Sequence, residues 1–427
     1  MKRTSPKRIV QVLGVLALFV AYACKEKPKP PPDVQPTATA APSATLAAPS
    51  SDVPGNAELG KALVAEHQCN RCHEGTGLAA APPAQQCVQC HRDIADGKFN
   101  APAASLAKWK PVIAPLTEVP SFVGAGARFK RSAIENYLLQ PHDLRPKMTQ
   151  LMPRLALTRQ EARHIAAYLV PDETKAAVDE KPTGDVSKGR TVLDTKGCGS
   201  CHAFSGVAQL QGSAIPVTVD AKTMARATVL APDLRYARDR MTTAQLENWL
   251  RSPHKVKADT TMPDIPLTDA EVKDAASYIL AAELSPKGSV APFVRLPVLT
   301  RKVTFEEVDK KVLHRTCWHC HSDPDFAIGD GGPGNSGGFG FKPRGLNLAS
   351  YEGVSAGLLD KGGQRASVFA KGGPDQLPLM IRSLVARHNE EAGAPTGEVR
   401  GMPLGMPPLT AEEIQLVDTW VAQGRPK

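Results

Sequence analysis

The sequence predicts an all-α protein made of three tandem helical units, the first enlarged by an insertion, and three observations carry that expectation. Stretches 57–67, 186–196 and 305–315 each read as an opening helix, with Gly60 and Gly189 nine residues ahead of the cysteines that follow them. Leu157-Thr158, Leu267-Thr268 and Leu409-Thr410 each precede an amphipathic segment that reads as a closing helix, the threonines serving as N-caps. The third observation is compositional: 42% of the 427 residues are apolar, but only 5% are aromatic. That is too apolar for a disordered chain, too long for one core, and too poor in large rings for Phe and Trp alone to fill the interiors. A bulky group other than a side chain is expected inside.

Taken from the start, Lys2, Arg3, Lys7 and Arg8 precede an apolar run at 9–20, and Ala21-Tyr22-Ala23-Cys24 follows. This is the layout of an export signal over 1–23, too short for an ordinary membrane span. Two processing routes stay open. Cleavage before Cys24 with lipid attachment to its thiol is the favoured expectation, because Cys24 is the one cysteine that no other feature uses. Bulky Tyr22 and the missing Leu three residues before the cysteine fit ordinary cleavage better. Residues 24–56, rich in Pro and Ala, read as an extended spacer. The three units then span 57–171, 185–284 and 303–424, with 171–184 and 285–299 as connectors. Closing-helix residues Tyr168, Tyr278 and Trp420 stand at matching positions, suited to crossing the opening helices where glycine permits close approach.

The remaining eight cysteines fall into four copies of one pattern: Cys69-Asn-Arg-Cys72-His73, Cys87-Val-Gln-Cys90-His91, Cys198-Gly-Ser-Cys201-His202 and Cys317-Trp-His-Cys320-His321. Roughly 0.005 CxxCH matches are expected by chance in such a chain, so four mark covalent haem c attachment. Two thiols at this spacing add to the two porphyrin vinyl groups, and the adjacent histidine becomes the proximal iron ligand. A zinc knuckle from Cys69, Cys72, Cys87 and Cys90 leaves the other pairs without partners and gives the four histidines no role. A thioredoxin-like dithiol lacks a βαβ setting, and simple disulfides do not account for the histidines either.

Before each closing helix lies a Met-Pro pair: Met152-Pro153, Met262-Pro263 and Met402-Pro403, with Met406-Pro407 close by. A thioether on a proline-stiffened loop supplies a sixth iron ligand, and methionine there raises the haem potential. Opening helix, CxxCH, irregular middle, Met-Pro loop and Leu-Thr helix together resemble the class I (mitochondrial-type) cytochrome c domain, three times over between residues 57 and 424. The third copy, with Gly345 to Tyr351 and the Met402 to Thr410 loop, is similar to single-haem modules of larger bacterial redox proteins. The resemblance implies four covalent haem c groups, held through the eight motif cysteines, with His73, His91, His202 and His321 as proximal ligands. Opposite them it implies Met152, Met262 and Met402, the last preferred to Met406.

The first unit departs from the pattern by holding two motifs. Cys87 precedes Met152 by 65 residues, close to the 64 between Cys198 and Met262, whereas Cys69 has the opening helix. Either haem fits Met152. The other iron is left with Met148, His67, His142, His164 or an open position; His142 has a twin in His254 and reads as structural. The Gly-rich stretch 329–345 lacks a phosphate-loop signature and reads as a flexible surface loop.

The formal charge of +9 falls to near neutrality once the four leader cations are removed and eight propionates are counted, so nucleic acid is not an expected partner. Basic runs at 128–131 and 235–240 read as solvated faces. The expectation is a tetrahaem electron carrier on the periplasmic face of a bacterial membrane, working between a redox protein donor and acceptor. The other reading is a haem enzyme or its cytochrome subunit, a peroxidase or small-molecule reductase, using an open iron in the first unit. No catalytic acid or base motif accompanies that iron.

Overall fold

The computed structural model describes residues 53–427, apart from 143, 150, 172–179, 327–331 and 396–398. The expected leader, Cys24 and nearly all of the expected spacer therefore lie outside the described residues. Among those described the chain is mostly helical, with two small β-hairpins, and no helix is long and apolar enough to cross a membrane.

Helix α1 (Ala57–Glu66) starts at Asn56, whose side chain accepts from the Leu59 N–H. Gln68 then takes a left-handed conformation (φ 52°) and turns the chain into the first motif. Helices α2 (Cys87–Asp96) and α3 (Ala103–Ile113) form the insertion, a hairpin closed over Ile94, Trp109 and Ile113. Helices α4 (Arg131–Leu139) and α5 (Arg159–Leu169) complete this group. In the second group α6 (Val186–Thr195) is followed by α7 (Ala221–Leu230), α8 (Ala237–Arg240), α9 (Thr243–Arg251), α10 (Pro253–Val256) and α11 (Asp269–Ala281).

The opening helices cross the closing ones at glycines. A Cβ on Gly60 would run into the His164 carbonyl and Tyr168, and one on Gly189 into the Asp274 carbonyl and Tyr278. Thr158, Thr268 and Thr410 each form a reciprocal capping box with the glutamate three residues on: Glu161, Glu271 and Glu413. The Leu-Thr pattern thus acts as a helix start in all three places.

The third group opens differently. Helix α12 (Phe305–Val308) continues as a π-helix over Asp309–Cys317, running into the motif without a break. In the first two groups a left-handed residue, Gln68 or Gly197, stands immediately before the cysteine. Thr316 occupies that place here, and a β-branched residue resists positive φ, so the helix widens rather than turning. Helix α13 (Tyr351–Ala356) follows, then the hairpins β1 (Leu358–Leu359) with β2 (Arg365–Ala366) and β3 (Lys371–Gly372) with β4 (Leu377–Pro378). Helices α14 (Leu379–Glu391) and α15 (Ala411–Ala422) end the chain, Trp420 of α15 being fully buried beside Phe305 and Phe369.

The groups are tied together within one body. Glu118 accepts two hydrogen bonds from Arg226, Gln245 donates to the Gly126 carbonyl, and Phe99 of the insertion packs edge-on against Phe326. Described residues of the glycine-rich stretch depart from the expected loose surface loop. The Gly337 carbonyl accepts from the Arg71 guanidinium, which also lies over the Phe339 ring, and Arg400 covers Phe341. Arg71 is only 5% exposed, so that carbonyl satisfies a buried charge and fixes the segment.

Candidate haem sites

Three of the four motifs share an apolar core with a methionine. Cys69 and Met152 pack against the core of Val64, Leu138 and Ile165; Cys198 and Met262 against that of Leu193, Leu246 and Val272; Cys317 and Met402 against that of Leu313, Ile381 and Trp420. The elements explain why. Each opening helix delivers the first cysteine to the end of its core, and each Met-Pro loop enters the same core just ahead of a capped closing helix. Met152 is thereby brought to Cys69 rather than to Cys87. Met406 lies outside the third core's cluster; its backbone carbonyl accepts from Arg387.

The motif histidines share one electronic setting. His73 Nδ1 stands 2.8 Å from the Pro120 carbonyl, His202 Nδ1 2.8 Å from that of Pro232, and His91 Nδ1 3.2 Å from that of Leu116. A carbonyl only accepts, so each Nδ1 carries the proton and each Nε2 keeps its lone pair for a metal. Burial pushes the pKa of His73 and His202 down and that of His91 to about 4, so all three rings are neutral at pH 7. His321 is lowered by burial as well, with the Leu346 backbone opposing.

Burial governs most of the motif thiols. Desolvation lifts Cys69, Cys90, Cys198 and Cys320 to about 11 and Cys317 to about 12, leaving neutral thiols. Cys72 and Cys87 lie close enough to perturb each other, which raises Cys72 and lowers Cys87. Among the described residues no three His, Cys, Asp or Glu side chains converge on a point that could hold a bare metal ion.

One cavity of about 660 Å³ joins the first and third motifs. His73 and Met152 line one part of it, His202 and Met262 another, and Trp249 Nε1–H donates to the Met262 sulfur at 3.0 Å. Its walls are mainly apolar, yet Arg128, Arg145 and Arg240 also line it. Burial, with Arg145 and Arg128 nearby, pushes Arg240 down to about 10. An apolar space with guanidinium groups on its walls suits a large flat apolar group that carries carboxylates, as haem does with its propionates.

Residues 186–283 match the cytochrome c family model. This cytochrome c domain begins with α6 and ends just beyond α11, so it holds Cys198, Cys201, His202 and Met262. The match supports a c-type cytochrome, implies covalent haem c, and supports a haem-based role in electron transfer. Comparisons with curated proteins and with solved structures returned no match.

The second motif has its own small core, Cys90 packing against Ile94, Trp109 and Ile113, and that cluster holds no methionine among the described residues. Its α2 helix sets His91 opposite the fourth motif, where the His319 ring stands with its centroid 6.0 Å away. The other sixth-ligand candidates make their contacts away from His91. His164 accepts the Asn56 N–H at 2.8 Å, His67 Nδ1 lies 3.4 Å from the Phe339 carbonyl, and Met148 accepts from Arg145. His142 lines the large cavity with Nδ1 3.0 Å from the Gln140 carbonyl and its ring against Tyr137 and Tyr236. Sequence reasoning missed His319, Trp249 and the guanidinium groups on the cavity walls. The parallel between YLLQPH and WLRSPH already held Trp249, but it drew notice only for its histidines.

Proposed function

We propose that this chain is an exported tetrahaem c-type cytochrome that passes electrons through a continuous series of haems between two redox protein partners. The residues would hold the groups as follows: thioethers from all eight motif cysteines, proximal nitrogen from His73, His91, His202 and His321, and sulfur from Met152, Met262 and Met402. Bound haem supplies the one-electron couple. The protein keeps the proximal imidazoles neutral, holds the thioethers in dry cores and sets cations beside the carboxylates.

The observation that carries this reading is the contiguity of the four motifs. The first and third open into one cavity, Cys72 of the first is electrostatically linked to Cys87 of the second, and the second faces the fourth. The order in space is third, first, second, fourth. Attachment at Cys24 would hold the assembly at the periplasmic face of a membrane, the spacer giving it reach. Haem staining, intact mass and a redox titration of the mature protein test the proposal, with four covalent haems expected. A colourless protein, or zinc in place of iron by elemental analysis, refutes it.

A further inference from the structure

We propose that His319, the third residue of the fourth motif, is the sixth ligand of the haem held by Cys87, Cys90 and His91. This assignment rests on the tetrahaem reading above and extends it to an iron for which no methionine is at hand. His91 has its Nδ1 committed to the Leu116 carbonyl, so Nε2 is the atom left for iron. Two imidazoles bound on opposite sides of one metal hold their ring centres about 6 Å apart, given metal–nitrogen bonds of about 2.0–2.1 Å. The centroids of His91 and His319 are 6.0 Å apart. Parallel stacked rings stand nearer, as Phe293 and His388 do at 4.0 Å and 20°, whereas His91 and His319 are tilted at 46°.

The position of His319 is built rather than accidental. The π-helix carries the chain straight into Cys317, and Trp318 behind it is buried and stacked on His314 (5.3 Å, 16°). His319 stands nearly perpendicular to Trp318, at 83°. On another side the bare backbone of Gly332 lies so near that a Cβ there would sit 2.8 Å from His319 Nδ1. The insertion is held against the same region by Phe99 on Phe326 and by Lys108 over the Trp318 ring. Contacts from both partners thus fix the distance between the two imidazoles. The consequence is one bis-histidine haem among His/Met haems, with the lower potential that nitrogen ligation brings, coupled through three consecutive residues to the fourth haem.

The test uses full-length mature protein, with covalent haem counted by mass and ligation read by electron paramagnetic resonance and near-infrared magnetic circular dichroism. Wild type should hold four haems and show one bis-histidine signature. His319→Ala should keep four haems, lose that signature, gain one high-spin ferric signal and, after reduction with dithionite, bind one equivalent of carbon monoxide. His319→Met should stay low-spin, exchange the bis-histidine signature for a His/Met one, and raise one midpoint potential; it decides the matter if the alanine variant does not accumulate. Four haems with the bis-histidine signature surviving both substitutions, or absent from wild type, overturns the ligand assignment alone. Fewer than four haems in wild type overturns the tetrahaem reading beneath it.

Discussion

Replacing Trp249 with Phe removes the hydrogen bond from its indole N–H to the Met262 sulfur, 3.0 Å away, while keeping an aromatic ring at the same wall of the cavity. A thioether sulfur has two lone pairs. With one accepting from Trp249, the other is left for iron, and the N–H draws electron density from the sulfur. That makes it a poorer donor to ferric iron and so raises the potential. A neutral hydrogen bond contributes about 0.5–1.5 kcal/mol net. At about 40 mV per kcal/mol for one electron, its loss should lower the midpoint of the haem at Cys198 by roughly 20–60 mV. Spectroelectrochemical titration with the haems resolved is the assay, and the largest shift should fall on one haem of the series. An unchanged or raised midpoint would show that the indole does not polarise the bound sulfur, and the reasoning would fail.

Further outcomes follow from other parts of the structure. Gly189→Ala, which drives a Cβ into the Asp274 carbonyl, should destabilise the protein by about 1–3 kcal/mol in denaturant titrations. Met402→Leu should abolish one His/Met near-infrared signature, whereas Met406→Leu should leave all of them, because only Met402 packs in the core of Cys317. Ion pairs with Arg301 and Lys311 hold Glu307 down to about 2, below the unfolded value of about 4.3, so its stabilisation is complete above the unfolded pKa and is lost as pH falls towards 2. The stability gap between wild type and Glu307→Gln should therefore narrow across that window, which acid-dependent denaturation measures. Arg240→Gln removes a positive charge from the cavity wall that favours ferrous iron, and should lower a midpoint in the shared cavity by roughly tens of millivolts, read by the same titration.

Much of the helical frame was legible because its signals are local. A threonine with a glutamate three residues on carries its own hydrogen bonds, and Gly60 or Gly189 announces a crossing through the absence of a side chain. The CxxCH pattern is local too. What escaped notice depends on contacts across large sequence separations. His319 reads as a spacer inside a motif until the fold sets it against His91, 228 residues earlier. Arg128 and Arg240 read as solvated until α8 and the 125–129 turn bring both over Phe129. The stretch near 337 looked loose because glycine composition says nothing of a distant guanidinium in want of a carbonyl. Thr316 was a readable signal for the π-helix, since a β-branched residue stands where its counterparts turn left-handed.

Arg71 sits between the two cysteines of the first motif, yet one of its hydrogen-bond acceptors, the Gly337 carbonyl, is made 266 residues later. During synthesis the amino-terminal third emerges long before that carbonyl exists, so the cation of its first motif, served by Gln68 and Gln85, lacks one acceptor until the final third arrives. Shortened versions of the chain that stop before residue 337 should therefore mature poorly at Cys69 and Cys72 even though every residue of that motif is present. The pieces are less like beads on a string than like a clasp whose last link secures its first.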